Sequence, residues 1–177
     1  MTNLWKDIET GPQPPEEIFV VVEIPKGSRN KYEYSEEWNA IHLDRVLYSP
    51  LHYPGEYGLI PRTYYDDGDP FDAIVIMDEP TYPGCIIDAR PIALLKMLDS
   101  GEADDKVLCV PLNDPKYAEY TDINDVQSHF LKEIAHFFEV YKRLEGKETT
   151  VIGWEGADAA KERIQYSMDL FKRVIDV

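Results

Sequence analysis

Three carboxylates fall within six residues in Asp67-Gly68-Asp69-Pro70-Phe71-Asp72, and Gly68 and Pro70 dictate a turn between them. If Asp67, Asp69 and Asp72 converge on one pocket they repel, since two unit charges about 4 Å apart cost roughly 4 kcal/mol at a surface-like dielectric. A raised carboxyl pKa or a bound hard cation relieves that repulsion. The same residue types also make an ordinary solvated turn between two strands. A helix-loop-helix calcium loop is excluded by spacing. With Asp67 as first ligand, Phe71 takes the fifth place, Asp72 stands where glycine is needed, and Asp78 replaces the closing glutamate.

Other ionisable residues stand where a reason is needed. Glu23 interrupts the apolar run Ile18–Ile24, where an unpaired carboxylate is costly to bury unless the strand end faces water. Lys31 and Glu33 alternate and so share one face of a strand. Arg45 has the parity of Leu43 and Leu47, which predicts that it lies on their face and not with Asp44; a snorkelling arginine would do the same. Leu51–Gly58 reads as a loop dense in turn residues that carries Tyr53 and Tyr57, and phenols either donate to phosphate oxygens or fill cores. A second acidic run, Asp99-Ser100-Gly101-Glu102-Ala103-Asp104-Asp105-Lys106, reads alone as a solvated hairpin loop. Tyr141-Lys142 closes an amphipathic helical pattern. Taken jointly, the residues supply two acidic clusters for divalent metals, spaced cations at Lys31, Arg45, Lys106 and Lys142, and tyrosines for an oxyanion. Metal-assisted attack of water on a phosphoanhydride requires that set.

These side chains need elements to hold them. The chain has 177 residues, room for one domain, 1–177, with a proper core. Hydrophobic residues make up 44%, which sets bulk disorder aside. Asp and Glu number 34 against 18 Lys and Arg, a net charge of −16. Such a surface repels nucleic acid and anionic membranes, and repels an anionic substrate too unless metals or a local basic cluster reverse the field. Cys85 and Cys109 are too few for a disulfide framework and read as buried thiols of a reducing compartment. With no signal-peptide run and no apolar stretch of membrane length, a soluble cytoplasmic protein is expected.

Residues 1–17 are polar and proline-rich and are expected to lie peripherally, with at most a short helix at Trp5 and Ile8. Ile18–Ile24 reads as a buried strand, and Tyr32–Tyr34 with Ala40–Leu47 as a hairpin. Ala73–Met77, Ile86–Leu98 and Val107–Val110 follow as strands. Val126, Phe130, Ile134, Phe137, Tyr141 and Leu144 recur at helical spacing, with a start at Asn124-Asp125 and a stop at Gly146. Thr149–Ile152 adds a strand, and a second helix runs from about Ala157 to Val174. Strands spaced by turns and then two helices give a mostly β, α+β class: a small barrel or curled sheet with helices packed outside.

From Phe19 to Val174 the chain closely resembles the soluble family I inorganic pyrophosphatases. The resemblance is carried by Asp67-Gly68-Asp69-Pro70-Phe71-Asp72-Ala73, Val22-Glu23-Ile24-Pro25, Lys31-Tyr32-Glu33, Asp44-Arg45, Tyr53-Pro54 and Tyr57-Gly58. It continues through Leu95-Lys96-Met97, Asp99, Asp104, Lys106, Ala135-His136-Phe137-Phe138, Tyr141-Lys142 and Gly153-Trp154-Glu155. It implies a five-stranded OB-type barrel with two C-terminal helices, hydrolysing pyrophosphate to two phosphates with several Mg²⁺ ions. Asp67, Asp72, Asp99 and Asp104 would be metal ligands, and Asp69 the general base toward a metal-activated water. Glu23 and Glu33 would hold waters on the metals. Lys31, Arg45, Tyr57, Lys106, Tyr141 and Lys142 would bind the substrate's phosphate oxygens, Lys106 lying beside the second acidic run, with Tyr53 supporting the pocket. Ser100 departs from relatives that carry an acid there. The resemblance also implies a homo-oligomer, a hexamer, for which His136 and the aromatic face of residues 126–144 could supply an interface.

Three rival readings have distinct marks. A nucleotide or polyphosphate hydrolase would need a segment suited to a base or ribose. A silent metal-binding relative would have lost Asp67, Asp69, Asp72, Arg45 or Lys142, and all five stand. A nucleic-acid-binding barrel conflicts with the net charge of −16.

Overall fold

Ile18-Phe19-Val20-Val21-Val22 is apolar on both strand phases, so it suits a strand covered on both sides. It forms β1 (Ile18–Ile24), in which Val20, Val21 and Val22 are all wholly buried. The computed structural model describes residues 2–175. After β1 come β2 (Asn30–Ser35), β3 (Ala40–Val46), β4 (Glu56–Leu59), β5 (Asp72–Val75), β6 (Ile86–Asp99), β7 (Glu102–Ala103) and β8 (Lys106–Pro111). Then follow α1 (Ser128–Val140), β9 (Thr149–Gly156) and α2 (Ala157–Val174).

The pairing order β1-β4-β5-β8-β6 closes on itself through β1–β6, making the expected five-stranded, OB-type ring. Only β5–β8 is parallel in that ring. The long β6 also carries β7 and β9, while β2 and β3 form a separate two-stranded hairpin. Alternation divides the core. Leu108 and Val110 join a cluster capped by α1 through Ile134, Phe137 and Phe138, whereas Val107 and Cys109 join one covered by α2 through Ala160 and Ile164. Gly58 lets β1 and β4 meet: a Cβ there would lie 1.9 Å from the Val21 carbonyl oxygen.

Several expectations need correction. Tyr57-Gly58 belongs to strand β4, not to a loop, and β9 extends past Ile152 to Gly156. Helix α1 is shorter than the apolar period suggested. Asp122–Asp125 close a capping box around a 3-10 turn, which removes Asn124-Asp125 from the helix, and Val126 is extended. At the other end Leu144 sits exposed in a 3-10 turn, with Gly146 in the left-handed conformation as the stop. The N-terminal segment forms turns at Trp5 and no helix. Nor is it merely superficial: Trp5 is buried against Val21, Leu59 and Phe171, and its indole donates to the Thr63 carbonyl at 2.7 Å. Cys85 is only half-buried, unlike Cys109. No helix among the described residues is long and apolar enough to cross a membrane.

Candidate active site

The turn Asp66–Pro70 joins β4 to β5 at one end of the ring. Phe71 N donates to Thr63 Oγ1 at 2.9 Å and Tyr65 N to the Asp69 carbonyl at 2.8 Å, so the turn closes upon itself. Asp72 opens β5, and its register partner in parallel β8 is Lys106. That pairing brings the two acidic runs together. One carboxylate oxygen from each of Asp67, Asp72 and Asp104 lies within 4.8 Å of the others.

Lys106 is 2% exposed and donates to Asp72 at 2.6 Å and Asp104 at 2.7 Å. Burial alone would lower its pKa, but the two carboxylates outweigh it and hold the ammonium well above its ordinary value. The carboxylates respond in kind. Burial, reinforced by Asp72, pushes Asp67 up to about 7. Asp69 is raised by burial and then by Asp72, and Asp104 is raised by burial despite Lys106. Asp99 moves the other way, because its bond from Lys142 overcomes its burial. Glu23, pushed up to about 8 by burial, accepts from the Tyr34 amide at 2.8 Å and thereby fastens the hairpin to β1. Burial keeps the Tyr57 and Tyr141 phenols protonated far above ordinary pH, so both remain donors.

A cavity of about 540 Å³ gathers Glu23, Lys31, Glu33, Tyr57, Asp67, Asp69, Asp72, Asp99, Asp104, Lys106, Tyr141 and Lys142. On the hairpin, Lys31 is bonded to Glu33 and lies 3.8 Å from Asp44. Arg45 is the expected residue that the cavity leaves out. A bulge sets Lys31 opposite Arg45 but Tyr32 opposite Leu43, so the parity linking Arg45 to Leu43 is broken. Arg45 instead pairs with Asp44 and, at 2.6 Å, with Glu145. Tyr53 is 2% exposed and packs at a tilt against Tyr57 and Phe137 as a support of the pocket. The aromatic face of α1 is likewise spent on the core, with Phe137, Phe138 and Tyr141 buried, whereas His136 is exposed.

Sequence reasoning missed Lys147, Glu36 and Tyr34, which also line the cavity. The signal for Lys147 was the left-handed Gly146, after which Lys147 N turns back to the Lys142 carbonyl. It also missed Glu56, which is wholly buried but outside the cavity, where it accepts from both the amide and hydroxyl of Thr81.

The chain is similar to known proteins over nearly its whole length. Residues 20–172 match the family model described as inorganic pyrophosphatase. The inorganic pyrophosphatase of Haloferax volcanii is 54% identical, over 97% of this chain and 98% of that protein. Soluble inorganic pyrophosphatase 1 of Arabidopsis thaliana is 49% identical, over 97% of this chain and 81% of its own. The crystal structure of the Thermus thermophilus inorganic pyrophosphatase superposes with a TM-score of 0.93 at 41% identity, covering 97% of this chain and 99% of that one.

Proposed function

This chain belongs to the inorganic pyrophosphatase family, and from that premise we propose the part each cavity residue plays in hydrolysing pyrophosphate to two orthophosphates. The single observation that carries the reading is the convergence of Asp67, Asp72 and Asp104 oxygens within 4.8 Å, inside a cavity also lined by Lys31, Lys106 and Lys142. Crowded hard oxygen donors with Asp67 pushed up to about 7 fit a divalent cation, and Mg²⁺ fits them better than a metal preferring sulfur or nitrogen. Asp67, Asp72 and Asp104 would hold it, with Asp99 joining Asp104 for a further ion and Glu23 and Glu33 fixing waters around them. Divalent ions held there would supply Lewis acidity, offsetting phosphate charge and making water easier to deprotonate.

Asp69 takes the proton from the attacking water. Its carboxyl is raised by burial and by Asp72, which brings its basicity closer to the operating pH. Lys31, Lys142, Tyr57 and Tyr141 hold phosphate oxygens, and the two lysines neutralise charge on the leaving phosphate. Lys106 keeps Asp72 and Asp104 paired before metal enters. Arg45 reaches a phosphate only by exchanging its pairing with Asp44 and Glu145 for one with the substrate. Because acids outnumber bases in the cavity, metal binds before substrate. A cytoplasmic, homo-oligomeric protein, hexameric in form, completes the reading, with exposed His136 at hand for an interface; sedimentation velocity checks the assembly.

The test is phosphate release from pyrophosphate in Mg²⁺, with an EDTA control and ATP as alternative substrate. Rapid, chelator-sensitive release from pyrophosphate and not from ATP is expected, and its absence in a metal-loaded protein would remove the assignment. Asp69→Asn should keep metal binding and lose most turnover. Full activity in that variant takes Asp69 out of the base role.

A further inference from the structure

Asp105 stands between two cavity residues, Asp104 and Lys106, yet it does not line the cavity. It lies in the two-residue link between β7 and β8, and its side chain is turned away from the cavity and is 4% exposed. There its carboxylate accepts from two neutral donors: the Tyr65 hydroxyl at 2.7 Å and the Met97 amide at 3.1 Å. Among the described residues it forms no hydrogen bond or ion pair with a Lys or Arg side chain. A buried carboxylate held by neutral donors is poor value for stability, and such groups are better explained by the geometry they specify.

The geometry here is the joint between the two acidic runs. The β5–β8 ladder starts only at Asp72, so it leaves Asp67 outside. Tyr65 closes that gap. Its ring stacks on Phe71 at 4.3 Å and 7°, and its backbone bonds to Asp69 and Gly68, so it is rigid with the turn that carries Asp67. Its hydroxyl then reaches the residue next to Asp104, while Asp104 N and Asp105 both bond to Met97 of β6. We propose that the Tyr65–Asp105 hydrogen bond is a positioning device, setting the separation of Asp67 from Asp104 across which a divalent cation is held. The proposal rests on the metal-binding reading given above.

The probe is Mn²⁺, titrated by electron paramagnetic resonance without substrate, alongside melting in EDTA. Tyr65→Phe keeps the ring stack and loses the donor. Asp105→Asn removes the charge but keeps both contacts, its oxygen accepting from the Met97 amide and its NH2 donating to the phenol oxygen. Tyr65→Phe/Asp105→Asn removes the same charge and the hydrogen bond to the phenol while keeping an acceptor for the Met97 amide. The double variant should bind Mn²⁺ roughly 10-fold more weakly than Asp105→Asn, as expected when an outer partner of metal ligands is lost. It should do so even where the two melt alike. Equal affinity in these two variants overturns the proposal, as does a Tyr65→Phe protein that melts lower yet binds Mn²⁺ like the parent. Asp67→Asn is the control: unchanged Mn²⁺ binding there would overturn the metal reading and this proposal together, whereas weakened binding there with equal affinities in the other pair overturns this proposal alone.

Discussion

Replacing Lys106 by methionine keeps most of the side-chain volume and removes one buried charge. In the parent, that ammonium lies 2.6 Å from Asp72 and 2.7 Å from Asp104 and is 2% exposed. Its loss leaves Asp67, Asp72 and Asp104 facing one another within 4.8 Å. At an effective dielectric of 20, each charged pair at that separation repels by about 3.5 kcal/mol. Removing one partner of a buried ion pair typically costs ~3–5 kcal/mol, which agrees. For a domain of this size, each kcal/mol moves the melting temperature by about 2–4 °C, so a fall of roughly 6–20 °C is expected in EDTA. Two further signs follow from the same cause. The deficit should shrink at mildly acidic pH, where the stranded carboxylates take up protons. Saturating Mg²⁺ should recover more stability in the variant than in the parent, because the ion replaces the missing cation. Calorimetry at two pH values, with EDTA and with Mg²⁺, reads all three. A variant that melts with the parent in EDTA would refute the argument that Lys106 offsets the acidic cluster.

Asp67 gives a pH prediction. Its folded pKa, near 7, lies above its unfolded value, so its contribution to stability is complete below about pH 4 and is lost as pH rises toward 7. Metal competes with that proton, so Mg²⁺ affinity measured by calorimetry should climb over the same interval; a flat profile would exclude Asp67 as a ligand. Gly58→Ala should prevent soluble folding or lower the melting temperature sharply, because its Cβ meets the Val21 carbonyl oxygen at 1.9 Å; a parent-like melt would show that β1 and β4 can separate freely. Trp5→Ala should cost about 3–5 kcal/mol, in the range for buried aromatic truncations. Denaturant titration tests this, and a loss well under 1 kcal/mol would return the N-terminal segment to a peripheral role.

Where sequence and structure agree, the signal was local. Helix α2 runs from Ala157 to Val174, as its apolar period predicts, and Asp67, Asp69 and Asp72 are kept close by the turn that Gly68 and Pro70 make. Ring closure was not legible, since β1–β6 and β5–β8 join segments far apart in the chain. Arg45 was misplaced because a bulge resets strand parity, and bulges leave no periodic trace. Strand β4 looked like a loop because Gly58 answers to a backbone contact with β1, which reads locally as a turn residue. Asp105 was hidden within an acidic run that looked solvated; only the fold sends it inward to Tyr65.

The partition of the cavity along the chain bears on how the molecule is made. Every carboxylate of the site precedes α1, as do Lys31 and Lys106, but the cation bonded to Asp99 is Lys142, which follows it. Strand β9, which pairs with the length of β6 that ends at Asp99, comes later still. A chain emerging from the ribosome therefore exposes a surplus of negative charge before its last counter-ion and its last supporting strand exist. Loop closure must then bring β9 back across the whole of α1. Divalent ions that bind the completed site and not the growing chain should pull that last step forward, so the yield of folded protein should rise with their concentration.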